Sequence, residues 1–285
     1  MIINGTETAK KIKDHLKTKV HEHLKSGHRA PCLAVVLVGE DPASKVYVGH
    51  KEKACLEAGI TSKAYKLPES SSESDIIALV AKLNADQGVD GILVQLPLPK
   101  HISSEAVIDA IHPSKDVDGL TAFNQGCLSL GRKALRPCTP AGCMELIKSQ
   151  LPSLRGKTAV VVGRSILVGS PIAKMLLLED ATVIQVHSKT PHPENFARMA
   201  DILIVAAGKK HLVNASWIKK DALVIDVGIH RGSDGKLTGD VDFESAVGVA
   251  SAITPVPGGV GPMTIAMLLK NCLEAYEARV YGNSF

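Results

Sequence analysis

Two successive series of short β-branched runs alternate with helical segments along this chain, and few architectures accept such a pattern. "LAVVLVGE" (33–40), bounded by Pro31 and Gly39, reads as a buried strand. "ASKVYVGHKEKACLEAGI" (43–60) follows as a helix, then "SKAYKLP" (62–68) as a strand and "ESDIIALVAKLNAD" (73–86) as a helix. "GILVQLPLP" (91–99) is a third strand, closed by prolines that cannot donate to a ladder. A serine-capped helix follows over 103–111. Strands that return through helices imply a parallel sheet covered by those helices.

The second series starts near residue 140. A helix is expected over 139–149, with Pro140 at its first position, followed by strands at 158–163 and 181–188 flanking a helix over 169–179. A helix near 194–200, strands at 201–208 and 222–228, and a last helix over 264–280 complete it. At 285 residues the chain exceeds the usual single-domain size. The fold class expected is α/β in two domains. The first covers 1–139 and is completed by a C-terminal helix, 264–285; the second, 140–263, is of Rossmann type. The boundary near 138–142 carries only Pro137, Pro140 and Gly142 as markers.

Composition narrows the partners. A net charge of +4 with scattered Lys and Arg forms no basic stripe, so nucleic acid is not expected. The six cysteines include no C-x-x-C pair and several sit in apolar runs, which is the pattern of buried reduced thiols in a cytosolic protein. The eleven histidines show no metal-ligand spacing with Cys or carboxylates, and His21 and His23 read as solvated residues of a charged N-terminal helix. "MIINGTETAKK" lacks an apolar h-region and no run nears a membrane span, so a soluble, cytoplasmic protein is expected, with no membrane partner.

"VVVGRSILVGSPIAKML" (160–176) sets Gly163 at the end of a strand and Gly169 at the start of a helix. Backbone N–H groups meet a pyrophosphate in that layout, although Arg164 follows the first glycine and Ser165 stands where a second would be. An NAD site usually carries an acidic residue about twenty positions on. Here the next strand ends in Ser188 and Lys189 instead. With Arg164 this end is basic and hydroxylic, which suits a 2′-phosphate, and NADP is the cofactor expected.

Tyr47 and Lys51 stand one helical turn apart in "YVGHKEKA", as a solvent-facing pair or as a catalytic one. "VQLPLP" with Gln95, "KDVDGL" with Asp116 and Asp118, and "TPVPGGVGPMT" with Gly258, Gly259 and Gly261 fall at strand ends or on loops, where open α/β sheets bind ligands. Taken singly, each also reads as a buried amide, a pair of turn formers or a tight loop.

In order and spacing these segments, together with "PCTPAGC" and "HSKT", resemble the bifunctional 5,10-methylenetetrahydrofolate dehydrogenase/5,10-methenyltetrahydrofolate cyclohydrolase family over essentially the whole chain. The resemblance implies a folate cleft between the two domains, a homodimer, and a last helix that returns to the first domain. It implies that Lys51 is the catalytic lysine, Gln95 its hydrogen-bond partner and Tyr47 the wall on which folate stacks. Asp118 would anchor the pterin, and Gly259 and Pro262 would line the folate site. Gly163, Arg164, Ser165, Gly169 and Ser188 would hold NADP, with Arg164 and Ser188 on the 2′-phosphate. It also implies cis peptides before Pro97 and Pro257. The partners expected are tetrahydrofolate derivatives of one-carbon metabolism, and neither step needs a metal.

Three rivals remain open. A shikimate-dehydrogenase-like oxidoreductase would need a basic carboxylate clamp in place of "VQLPLP" and "KDVDG". A monofunctional dehydrogenase of the same family would have less reason to keep both Lys51 and Gln95. An NADP-sensing binding protein would have no use for the lysine.

Overall fold

A computed structural model gives the fold and describes residues 1–232 and 234–282. The chain divides into two compact units: residues 10–138 with 265–285, and residues 1–9 with 139–264. The first nine residues thus belong with the second unit, and the final helix contributes to both.

The first unit contains most of helix α1 (Gly5–Lys25), then β1 (Cys32–Val38), α2 (Pro42–Ala58), β2 (Thr61–Leu67), α3 (Glu73–Ala85) and β3 (Gly91–Val94). Two short helices follow, α4 (Ser104–Asp109) and α5 (Ala122–Ser129). The strands form a parallel sheet in the order β2-β1-β3, with Val36 opposite both Tyr65 and Val94. Central β1 is buried along its whole length, as an apolar strand covered on both faces must be. One face packs Ala34, Val36 and Val38 with Ile76, Val80 and Leu83 of α3. β3 stops at Val94 rather than 99, because Pro97 and Pro99 have no N–H for the ladder; the Leu96–Pro97 bond is cis.

The second unit runs through α6 (Cys138–Gln150), β4 (Thr158–Val162), α7 (Gly169–Leu178), β5 (Thr182–Val186), α8 (Pro193–Ala197), β6 (Ile202–Val205) and β7 (Leu223–Asp226). A small hairpin, β8 (His230–Arg231) with β9 (Leu237–Thr238), precedes α9 (Phe243–Ala246) and β10 (Ala252–Ile253). The sheet order is β10-β7-β6-β4-β5, all parallel, with the order reversing beside β4. Open sheets bind ligands outside the carboxyl ends of their strands at such a reversal. The hairpin and β10 escape the sequence reading because two-residue strands carry no period.

The last helix, α10 (Val260–Val280), begins four residues before the expected start at Thr264. Pro262 lies in its first turn, where an absent N–H removes no intrahelical bond, so the end of the "TPVPGGVGP" loop can be helical. Residues 283–285 of the expected C-terminal helix lie outside the described residues. Pro140 sits third in α6 rather than first. None of the described helices is long and apolar enough to cross a membrane.

The reading of His23 as solvated is corrected. His21 is exposed, but His23 is buried on the face of α1 that carries Leu16 and Val20. Its Nε2 lies 3.0 Å from Glu277 Oε1 and its ring meets Tyr276 edge-on at 5.2 Å. Spacings of four and three place these residues on one stripe. All six cysteines are free, and all but the half-buried Cys127 are buried.

Candidate active site

Helix α2 is fixed at both ends by its own sequence. Asp41 accepts from the Ser44 N–H at 2.7 Å, Pro42 opens the helix, and Gly59 closes it in the left-handed region at φ 77°. Val48, Ala54, Cys55 and Ala58 face inward, leaving Tyr47 41 % exposed and Lys51 half-buried at the rim of that face.

Lys51 Nζ donates to Gln95 Oε1 at 2.8 Å. Gln95 follows β3, where its backbone N–H still bonds Val36 at 2.9 Å, and its side-chain Nε2 donates to the Leu96 carbonyl at 2.6 Å. That second bond fixes the amide's orientation, so the oxygen faces the lysine. Burial pushes the Lys51 pKa down, and the Asp118 carboxylate opposes it. Burial likewise pushes Asp118 up, with Lys51 pulling down and Asp116 pushing up. Lys51, Gln95 and Asp118 thus form one interacting group.

The two aspartates of "KDVDGL" have different fates. Asp116 is fully buried and accepts from the N–H groups of Gly119, Leu120 and Thr121 at 2.9, 3.1 and 2.8 Å, and from Asn124 Nδ2 at 2.8 Å. Those donors occupy its oxygens and shape the turn, an Asx motif. Gly119, at φ 72°, has no room for a side chain: a Cβ would sit 2.5 Å from the Arg136 carbonyl carbon. On the far side Asn271 Nδ2 donates to the carbonyls of Val117 and Arg136, both at 2.8 Å, and the Cys138 thiol donates to Val117 at 3.2 Å. Held this way, Asp118 as a residue is half-buried, and its carboxylate is free of the turn's hydrogen bonds that Asp116 takes. Asn271 and Cys138 were not foreseen as supports, since no local pattern links them to residue 117.

In the second unit, Gly163 ends β4 at φ 131°, and a Cβ there would lie 2.1 Å from the Ala206 carbonyl oxygen. A Cβ on Gly169, the first residue of α7, would lie 2.5 Å from the Gly163 oxygen. Both positions therefore require glycine, so that strand end and helix start can approach each other. Ser165 Oγ accepts from the N–H groups of Val168 and Gly169 at 3.2 and 3.4 Å and shapes the turn. Val162 pairs with Val186, so Arg164 and Ser188 follow neighbouring strand ends at equal distance along the chain, and both are exposed. A glycine-lined turn at a helix N-terminus, with a guanidinium and a hydroxyl at adjacent strand ends, fits a dinucleotide bearing an extra phosphate.

Gly259 and Pro262 lie elsewhere in that unit, beyond β10. The Val256–Pro257 bond is cis, and Gly258 takes φ 99°. The N-terminal segment braces this loop: the Thr6 N–H donates to the Gly258 carbonyl at 3.0 Å, and a Cβ on Gly5 would meet the Gly259 oxygen at 1.9 Å. Tyr47 stands one turn before Lys51 with its ring open to solvent.

Two family descriptions match in tandem. Residues 3–118 match the tetrahydrofolate dehydrogenase/cyclohydrolase catalytic domain, and residues 137–280 match the NAD(P)-binding domain of the same family. The Bifunctional protein FolD of Agathobacter rectalis is 53% identical over 276 residues, covering 97% of this chain and 99% of that one. Among solved structures, the bifunctional FolD methylenetetrahydrofolate dehydrogenase/cyclohydrolase of Campylobacter jejuni superimposes with a TM-score of 0.96 at 47% identity, over 98% of this chain and 99% of the other. The Trypanosoma brucei methylenetetrahydrofolate dehydrogenase-cyclohydrolase, solved with NADP cofactor and inhibitor, gives 0.93 at 38% identity over 98% of each chain. With both halves matched in sequence and fold, and the lysine–glutamine pair and the glycine turn in place, the chain belongs to the tetrahydrofolate dehydrogenase/cyclohydrolase family.

Proposed function

We propose that this protein oxidises 5,10-methylenetetrahydrofolate to the 5,10-methenyl form with NADP and then hydrolyses that product to 10-formyltetrahydrofolate, within one-carbon metabolism. The observation that carries the proposal is the Lys51–Gln95 hydrogen bond, electrostatically coupled to Asp118. A pterin presents a ring N–H beside an exocyclic amine, and one ionised carboxylate accepts from both. Asp118 takes that role, and the exposed Tyr47 ring offers a flat wall to a bicyclic ligand.

NADP, when bound, accepts the hydride of the first step. Gly163, Ser165 and Gly169 would seat its pyrophosphate, and Arg164 and Ser188 its 2′-phosphate. Gly259 and Pro262 complete the folate pocket on this reading. In the hydrolytic step the attacking water loses a proton and the departing ring nitrogen gains one. Lys51 serves both transfers, because burial favours its neutral amine. Gln95 takes no proton; its oxygen holds the amine in place in either charge state.

A cytoplasmic homodimer is part of the reading, and its support is the family resemblance. The test is one coupled assay: methylenetetrahydrofolate and NADP are added, and methenyltetrahydrofolate and NADPH are followed by absorbance. NADPH appearing with a transient methenyl species is expected. A methenyl product that persists indefinitely would instead identify a monofunctional dehydrogenase.

A further inference from the structure

Behind the cofactor turn lies a buried acidic pair that the reaction does not use. Asp226, the last residue of β7, and Asp240, just after β9, are 3 % and 0 % exposed. Asp226 accepts from the N–H groups of Gly228, Asp240 and Val241 at 2.9 to 3.0 Å. Burial pushes it up to about 6, and Asp240 contributes to that rise. Asp240 divides its oxygens. Oδ2 accepts from the N–H groups of Ala207 and Gly208 at 2.6 and 2.8 Å, and Oδ1 meets His230 Nε2 at 2.7 Å. An ionised carboxylate only accepts, so His230 is the donor and carries its proton on Nε2.

The backing can be no looser. A Cβ on Gly228 would lie 2.4 Å from Asp240, and one on Gly239 would lie 1.8 Å from Asp226 Oδ2. The turn held by Asp240 touches the cofactor corner directly. Ala206 donates its N–H to Val162 at 2.8 Å, and its carbonyl oxygen occupies the space that a side chain on Gly163 would need. His230 is the partly exposed end of this chain of contacts, with 23 % of its side chain accessible. Without its N–H, Asp240 would keep a buried, unpaired oxygen beside a second carboxylate, an arrangement that is relieved by movement of the turn.

We infer that His230 is a positioning residue for the cofactor: through Asp240 it fixes the 206–208 turn against Gly163 and so sets the shape of the NADP turn. The inference rests on the NADP-dependent reading above and names a residue outside its direct contacts. Gln is the conservative test, because its side-chain amide nitrogen lies near the position of a histidine Nε2, whereas Asn is too short and Leu has no donor.

The experiment is steady-state dehydrogenase kinetics on wild type, His230→Gln, His230→Asn and His230→Leu, with a thermal melt of each. In the Leu and Asn variants KM for NADP should rise about two- to tenfold, the worth of one hydrogen bond, while KM for methylenetetrahydrofolate moves by less than about twofold. His230→Gln should recover most of the NADP affinity. An unchanged KM for NADP, an equal rise in both KM values, or a Gln variant as impaired as Leu would each overturn the inference. If the Leu variant does not fold, the Gln–Asn contrast decides alone. Wild-type protein that fails to reduce NADP would instead sink the parent reading, before any variant is compared.

Discussion

Lys51 donates to the side-chain oxygen of Gln95 at 2.8 Å, while the nitrogen of that amide is committed to the Leu96 carbonyl at 2.6 Å. The lysine therefore faces a neutral acceptor whose orientation is fixed. A free lysine with a pKa of about 10.4 is neutral in only about one molecule in a few thousand at pH 7. Burial lowers the Lys51 value by more than the Asp118 carboxylate raises it, and the neutral Gln95 acceptor adds no further opposing charge. Hydrolysis should accordingly rise with pH and level off above the lowered pKa. Hydride loss yields the methenyl cation without a proton transfer, so the dehydrogenase needs Lys51 only for positioning. Lys51→Gln should nearly abolish hydrolysis of methenyltetrahydrofolate yet leave measurable NADPH formation, with methenyl product accumulating. Hydrolysis surviving in that variant, or a parallel fall of both activities in folded protein, would refute this division of labour.

Gln95→Glu tests the same relationship from the other side. A carboxylate in hydrogen-bond reach favours the ammonium and should raise the Lys51 pKa. The pH–rate profile for hydrolysis should move toward alkaline pH, with the rate at neutral pH falling. Profiles of wild type and variant recorded over the same pH range provide the check. Superimposable curves would mean that the proton on Lys51 does not limit the step.

Much of the scaffold was legible from the chain because its signals are local. Parallel strands buried on both faces read as continuous apolar runs, and β1 and β4 do so plainly. The glycines at 163 and 169 were legible for the same reason: strand, turn and helix are adjacent in sequence. What stayed hidden is long-range. The packing of His23 on Tyr276 joins residues 253 positions apart, and the support of Val117 by Asn271 joins residues 154 apart. No spacing rule reports such pairs. "KDVDGL" shows the limit most clearly, since two identical side chains two positions apart separate into a fully buried turn former, Asp116, and a half-buried residue coupled to Lys51, Asp118, only when the donors around Asp116 are seen.

That difference makes Asp118 a clean target. Its carboxylate faces Lys51 electrostatically and is not needed to shape the turn, which Asp116 holds. Asp118→Ala should weaken folate binding about tenfold or more, the worth of a charge-assisted bond, and leave NADP binding nearly intact. Calorimetric titration of each ligand is the measurement. Because burial raises its pKa, wild-type folate affinity should decline with falling pH before an ordinary carboxylate would protonate. An unchanged folate affinity in the variant would make Asp118 a second turn residue.

We expect cofactor choice to turn on Arg164. It follows the glycine at the end of β4, is exposed, and has Ser188 as its counterpart beyond the neighbouring strand β5. No carboxylate stands at the end of β5 to accept from a ribose 2′-hydroxyl, so a bare NAD ribose finds a cation without a phosphate to meet. A hydrogen bond to a charged group contributes about 1.5–3 kcal/mol, so Arg164→Ala should cost roughly tenfold to a hundredfold in kcat/KM for NADP. The same change should alter kcat/KM for NAD little, because that cofactor has no 2′-phosphate to lose a partner. Raising the salt concentration should narrow the wild-type preference as well, since an exposed ion contact is screened. Dehydrogenase rates with each cofactor, for wild type and variant at two ionic strengths, test both expectations. Equal losses for NADP and NAD would show that Arg164 supports the turn itself, and the 2′-phosphate contact would have to be sought at Lys189.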